Sequence, residues 1–450
     1  MTGKLLIKNA RLVNEGQITD GDLLIHNGRI AQIDDSIRAG AGTRVLDAAG
    51  AHLLPGMIDD QVHFREPGLT HKAGIWSESR AAVAGGITSF MEMPNTLPPT
   101  VTLDALEDKY AIAAHKSLAN YAFYLGATND NLDVIRTLPA GAACGVKIFM
   151  GASTGNMLVD NESTLAGIFR DAPTLIATHC ESTPLINKNL KIAMEKHGRD
   201  IPVIEHPRIR SVQSCYQSSE TAIKLARAHD AQLHILHLST AREMELFEPG
   251  PIDGKNITAE VCVHYLHFNS DDYARLGNRI KCNPAIKSPA DQLALLTALK
   301  DGRLDIIATD HAPHTAEEKA SSDYFIAPAG LPLVQDALLA TLELHHDDVL
   351  SLPEIVRKVA HNVARRFGVV DRGFLREGYW ADLVLIDTRQ ETRVTQARVL
   401  SKCGWSPFEG VTFRSRIIST LVNGQLAWHE NKIVEHGSAA RLDFHCRGQV

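Results

Sequence analysis

The chain has 450 residues, 44% apolar and 22% charged, with 46 basic and 53 acidic side chains and a formal net charge of −7. Those proportions are ordinary for a soluble globular protein long enough for a large core and more than one structural unit. The acidic balance argues against a nucleic-acid or membrane-surface binder, and no apolar run is long enough to span a bilayer.

The N-terminal stretch MTGKLLIKNARLVNEG turns polar too early for a signal peptide. Residues 4–54 read as short strands: LLIKNARLV, GDLLIHNGRIAQI and TRVLDAAG alternate apolar and polar positions, with an Asn-Gly hairpin signal at 27–28. From residue 55 the texture changes. The stretch PGMIDDQVHFREPG (55–68) opens a series of short apolar runs at 87–94, 120–128, 145–150, 174–180, 232–238, 256–264 and 305–311. Amphipathic segments separate them at 73–85, 102–116, 185–198, 217–229 and 290–300, and helical pattern continues through 332–346 and 352–367. Eight β-then-α units predict a closed (β/α)8 TIM-type barrel over 55–369. After Asp371-Arg372-Gly373 strands return at 381–387 and 415–429, with a second Asn-Gly at 423–424. Residues 1–54 and 370–450 are therefore expected to pair into one small β-sandwich domain.

The seven cysteines (144, 180, 215, 262, 282, 403 and 446) are scattered and form no CxxC pair, which suits reduced thiols and a cytoplasmic location. Cys180 and Cys262 read most simply as small buried hydrophobes.

The chemistry-bearing residues fall at or near the C-terminal ends of the proposed strands, the catalytic rim of such a barrel. His63 and Arg65 share a face of the opening strand with Gln61. Asn95 follows strand two, Lys147 lies in strand four, and His179 and His237 end strands five and six. Asp310 ends strand eight, with His314 just beyond. Singly, each has a structural explanation. A lone strand-end histidine is more often a hydrogen-bonded core or surface residue, by roughly two to one. Lys147 reads as a snorkelling lysine, Asp310 as a helix cap and Arg65 as an ion-pair partner. His234 stays with that structural explanation, and His264 is open. Together, three imidazoles and a carboxylate suit a borderline-soft ion such as Zn²⁺, which lowers the pKa of bound water to about 7 and polarises a carbonyl for amide hydrolysis. A neutral Lys147 amine would take up CO2 and offer two carbamate oxygens.

The order of motifs resembles the amidohydrolase superfamily, and within it dihydroorotases of the longer, class I type. The resemblance rests on PGxIDxxVHxREPG (55–68), MPNT (93–96), GVKIF (145–149), THCE (178–181), HLST (237–240), KCNPAIK (281–287), ATDHAPH (308–314), APAG (327–330), DRGxLxxGxxADLVLID (371–387) and SKCGWSPFEG (401–410). It implies interconversion of L-dihydroorotate and N-carbamoyl-L-aspartate in pyrimidine biosynthesis, with Asp310 as catalytic proton shuttle. It implies metal ligation by His63, Lys147 as its carbamate, His179, His237 and Asp310, and one or two Zn²⁺ per chain. It further implies substrate contacts from Arg65, Asn95, Asn283, His314, Ala327 and Gly330, on a substrate bearing a ring carboxylate. The family pattern has histidine where this chain has Gln61, whose carbonyl oxygen is a poorer Zn²⁺ donor. Three outcomes stay open: Gln61 ligates through oxygen, the first site is weak and one metal remains, or the protein is catalytically silent. The alternatives are a hydantoinase- or allantoinase-like hydrolase and a non-catalytic scaffold subunit for aspartate carbamoyltransferase. A homodimer and association with that transcarbamoylase both stay open.

Overall fold

The two Asn-Gly pairs form tight hairpin turns, and the turns pack against each other. Asn27 and Gly28 have φ of 54° and 79°, Asn423 and Gly424 of 48° and 74°, the left-handed pairs that two-residue hairpins require. A Cβ on Gly28 would lie 2.8 Å from the Asn423 carbonyl oxygen, so the approach itself selects glycine. The computed structural model describes residues 3–151 and 157–445. The 151–157 segment singled out in the sequence therefore lies largely outside the described residues.

Strands Leu5–Asn14, Gln17–His26, Arg29–Asp34, Arg44–Asp47 and His52–Pro55 join Leu383–Asp387, Arg416–Val422, Gln425–His429 and Lys432–Ile433 in a nine-stranded sheet. The two ends of the chain meet where Leu383–Asp387 runs antiparallel to His52–Pro55. Strand alternation splits the side chains between two cores. Leu53, Leu383 and Leu385 join Ile7, Leu23 and Ile25 in the sheet's own core, whereas Leu54, Val384 and Ile386 join the large core around the barrel.

The barrel strands are Met57–Val62, Ile87–Glu92, Asn120–Phe123, Val146–Phe149, Ile176–His179, Leu233–Ile235, Ile257–Cys262 and Ile306–Ala308. Their pairings are parallel throughout. The pair Leu125–Gly126 carries the third strand across to the fourth. The eighth closes on the first through a parallel bridge between Val62 and His311 and a 2.7 Å bond from the His63 N–H to the His311 carbonyl. Ile58, Met91, Ala122, Tyr124, Ala177 and Ile306 fill the lower interior, closed beneath by Val363 and Phe367. Polar groups occupy the upper half.

Helices Ile75–Ala84, Leu103–Lys116, Thr183–His197, Val212–His229 and Pro289–Asp301 lie close to the expected segments. Helix Glu162–Asp171 was not expected, although Asn161 caps it through Thr164 N (3.0 Å) and Leu165, Ile168 and Phe169 keep helical spacing. The helix expected from 332 starts only at Ala337. The reason is local: Leu333 and Val334 donate their N–H groups to Nδ1 of His311 (2.8 and 3.2 Å), which ties them to the rim.

A buried polar knot locks the sheet to the barrel. Arg372 pairs with Asp382 and donates to Asn423 Oδ1 (2.7 Å), while Asp382 also accepts from Asn423 N (2.7 Å) and from Asn120 Nδ2 (3.1 Å) on the third barrel strand. Removing one member leaves a buried charge unpaired. Asp382→Ala is expected to lower unfolding free energy by about 3–5 kcal/mol, read from urea denaturation; a loss within ordinary surface-mutation scatter would contradict this role.

Candidate active site

The opening strand brings Gln61 and His63 to the interior, and the turn after the eighth strand brings Asp310 against them. His63 Nε2 lies 3.1 Å from Asp310 Oδ1, and Gln61 donates its amide N–H to the same oxygen at 3.2 Å. His63 Nδ1 faces Asn95 Oδ1 at 2.8 Å. Asn95 can only accept with that oxygen, so Nδ1 carries the proton and the Nε2 lone pair points at the Asp310 carboxylate. The Gln61 oxygen, the only atom of that side chain able to ligate a metal, faces the Cys262 thiol at 3.7 Å.

Across the rim, His179 Nδ1 and His237 Nε2 approach to 2.9 Å. His179 Nε2 donates to Glu181 Oε2 (3.0 Å), a carboxylate also paired with Arg210. That bond fixes the tautomer and leaves the Nδ1 lone pair facing its neighbour, as outer-shell carboxylates do for metal-ligating histidines. Burial pulls His63, His179 and His237 below the usual imidazole range, so all three are neutral near pH 7. Lys147 is fully buried between them in charge terms. Burial brings its amine down to about 8 against the opposing influence of Asp310 and Glu260. Burial opposes ionisation of Glu181, yet Arg210 and the His179 N–H hold its carboxyl down at about 2.

Arg65, His237 and Asp310 have φ of 68°, 43° and 49°. Left-handed backbone at such residues costs of order 1–3 kcal/mol each and concentrates at functional sites.

Next to Asp310 stands the Arg65 guanidinium, and beyond it Lys72 pairs with Glu318 at 3.3 Å. Arg65 donates Nε–H to the Pro313 carbonyl (3.1 Å), which leaves its NH2 3.2 Å from His314 Nε2. Lys72 Nζ lies 3.1 Å from His314 Nδ1. Burial, then Arg65 and Lys72, push His314 far below the usual range, so it is neutral. Burial lowers Arg65 to about 10, which keeps it a cation at neutral pH. Asn283 Oδ1 is buried without a hydrogen-bond partner. Ala327 and Gly330 lie on a loop pinned by lysines: Lys281 Nζ reaches the Ala327 carbonyl (2.7 Å) and Lys319 Nζ the Gly330 carbonyl (3.0 Å). Gly330 has φ of 140°, and a Cβ there would meet the Ala312 carbonyl at 2.4 Å.

The structure thus gathers His63, Asp310 and Gln61 in one group, His179 and His237 in a second, and Arg65 with His314 in a third. His264, left open by the sequence, is buried beside Tyr265 with neither ring nitrogen hydrogen-bonded, and burial lowers it to about 4. His234 was assigned a structural role; it lies in the interior with Asp60 and Glu260, a group of three whose ligand atoms come within 4.8 Å of one another. Sequence inspection also missed Glu181, Arg210 and Lys72. The Glu of THCE and the Lys of THK were visible signals for two of them, whereas nothing in the sequence places Arg210 over Glu181.

A family model for the amidohydrolase family matches residues 52–427. The chain belongs to the amidohydrolase family. It is 32% identical over 443 residues to a dihydroorotase of Methanosarcina acetivorans, covering 95% of this chain and 92% of that one. It is 33% identical over 431 residues to an allantoinase of Deinococcus radiodurans, covering 94% and 95%. Among solved structures it superposes on an L-hydantoinase (dihydropyrimidinase) from Arthrobacter aurescens with a TM-score of 0.92 at 28% identity, covering 98% of this chain and 100% of that one. No helix among the described residues is long and apolar enough to cross a membrane.

The depressed Glu181 carboxyl makes stability pH-dependent with a definite sign. Its contribution is complete above about pH 4.5 and is lost as pH falls through about 2. The expected share is about 3 kcal/mol, so urea unfolding of the native chain should weaken between pH 5 and 2. Glu181→Gln should be weaker at pH 7 and lack that component of the acid slope. An unchanged slope would contradict the assignment.

Proposed function

We propose that this protein is a metal-dependent cyclic amidohydrolase acting on a ring that carries a carboxylate, and specifically a dihydroorotase. The observation that carries the reading is the buried Arg65 guanidinium, against a neutral His314 and beside the carboxylate of Asp310, with Lys72 at the same histidine already paired to Glu318 at 3.3 Å. Such a guanidinium would be wasted on an uncharged ring. It offers a carboxylate charge-assisted bonds from one side while the amide to be cleaved faces Asp310. Asn283, with its unpartnered oxygen, is available to accept a ring N–H.

The rim donors fit a divalent metal. Two neutral imidazoles present converging nitrogens, a third shares its lone-pair direction with a carboxylate, and a buried amine is close enough to neutrality to form a carbamate. His179, His237, His63, Asp310 and Lys147 as its carbamate would hold it. Gln61, with its amide N–H on Asp310, is better suited to orienting that carboxylate than to ligating. A bound metal of this kind supplies a lowered water pKa and a polarised carbonyl. Arg65 anchors the substrate carboxylate and fixes the ring. Asp310 takes the proton of the attacking water and delivers it to the ring nitrogen as the C–N bond breaks; in ring closure it takes the ureido proton. Glu181 and Asn95 hold the tautomers of His179 and His63.

A hydantoinase- or allantoinase-type activity is the second reading, supported by the 33% identity to an allantoinase over most of both chains. A spectrophotometric comparison of dihydroorotate, allantoin and dihydrouracil separates them. Turnover of dihydroorotate is expected, and turnover of the other two without it overturns the choice. Arg65→Met should lower kcat/KM for dihydroorotate by roughly ten- to a hundredfold, the worth of one charge-assisted hydrogen bond, with metal content unchanged. Loss of metal with unchanged turnover per metal would contradict its role. Asp310→Asn should keep the fold and lose roughly 10²–10⁴ in kcat.

A further inference from the structure

Below the rim, inside the barrel, Asp60 on the first strand, His234 on the sixth and Glu260 on the seventh meet with no solvent exposure at all. His234 Nε2 lies 3.2 Å from Asp60 Oδ2 and 3.4 Å from Glu260 Oε2. All three ligand atoms fall within 4.8 Å of one another. None of these atoms makes a well-directed hydrogen bond, and neither oxygen of Asp60 has a partner. Two carboxylates with bare oxygens in a dry interior are costly unless something compensates them.

The other nitrogen of His234 has a partner of its own. Nδ1 lies 2.8 Å from Thr258 Oγ1, and that hydroxyl is 3.4 Å from the Leu233 carbonyl, its acceptor. With the hydroxyl proton on Leu233, Nδ1–H donates to Thr258, and Nε2 is the nitrogen turned to both carboxylates. Without an ion, burial opposes a charged ring, yet the carboxylates of Asp60 and Glu260 draw a proton onto it and raise His234 to about 9. An ion binding here takes the place of that proton, and three acceptors then converge on it. Lone pairs converge in this way on a cation. The two nitrogen–oxygen separations also suit one: ligands about 2.0–2.1 Å from a tetrahedral ion stand about 3.3 Å apart. A divalent ion would neutralise both carboxylates and displace the protons otherwise held on His234 by those carboxylates and on Glu260, up at about 8, by burial and the charge of Asp60. Lys147 is near enough for Glu260 to influence its charge, but no ion pair joins them within 4.0 Å.

We propose that Asp60, His234 and Glu260 form a buried divalent-cation site, separate from the rim donors, that takes Zn²⁺ or another first-row transition ion. One imidazole nitrogen with two carboxylate oxygens suits those ions better than Ca²⁺, which wants six to eight oxygens. Glu260 also links the site to the rim. Its other oxygen accepts the His237 N–H at 3.1 Å, so an ion held here steadies the strained residue carrying a rim imidazole.

The test uses the full chain dialysed against excess Zn²⁺. Anomalous scattering from its crystals above the zinc absorption edge is expected to show a peak bounded by Asp60, His234 and Glu260, distinct from any peak at His179 and His237. Asp60→Asn is expected to bind about one zinc fewer per chain than the native protein. Lys147→Ala, which removes a rim donor and keeps all three interior ones, should retain the interior peak. Absence of that peak in native crystals, or full zinc content in a folded Asp60→Asn, would overturn the site and leave a protonated His234 bridging two carboxylates. If Asp60→Asn does not fold, the native anomalous map decides. A failure of the dihydroorotate assay with this peak present would refute the proposed activity and leave the site standing.

Discussion

Withdrawal of water from the upper half of the barrel governs the chemistry of this protein. Apolar side chains plug the lower interior, and the parallel strands wall the sides, so every polar group above the plug lives in a poorly polarisable medium. In that medium the rim imidazoles of His179 and His237 are pushed toward their neutral form and the Lys147 amine approaches neutrality. Desolvation by itself would leave the tautomers undefined. Asn95 and Glu181 each take one ring nitrogen and so aim the other. Two unrelated polar residues thus do the same physical job on two histidines.

Much of this was legible in the sequence because strand period and turn chemistry are local. The eight apolar runs, the two Asn-Gly turns and the rim positions of His63, His179, His237 and Asp310 need only short-range rules. What escaped depends on distant residues meeting. Helix 332–346 is shortened by His311, a residue the helical pattern of that stretch does not contain. His234 looked idle because its partners stand on two other strands. Arg210 reaches Glu181 from a loop beyond the next helix. Gln61 shows the same limit within a single side chain: the sequence marks it as a departure, but only its neighbours Asp310 and Cys262 decide which end of the amide faces which.

Family membership narrows the chemistry to hydrolysis without choosing the ring. A dihydroorotase and an allantoinase stand at nearly equal identity to this chain, and the whole fold superposes on a hydantoinase. The fold is therefore common ground, and selectivity has to come from what lines the cleft. Here Arg65 stands on one side, with Lys72 beyond it paired to Glu318, and lysines tether the loop of Ala327 and Gly330 on the other.

The seam between the first and last strands has a consequence for how the protein comes into being. His63 meets Asp310, and Arg65 meets His314, across sequence separations of 247 and 249 residues. No earlier fragment of the chain can assemble either pair. Bringing such distant residues together costs chain entropy that only the finished ring of strands repays. The pairing of Arg65 with His314 and of His63 with Asp310 therefore requires the closed ring of strands, and a chain lacking its eighth strand holds the rim imidazoles without that carboxylate.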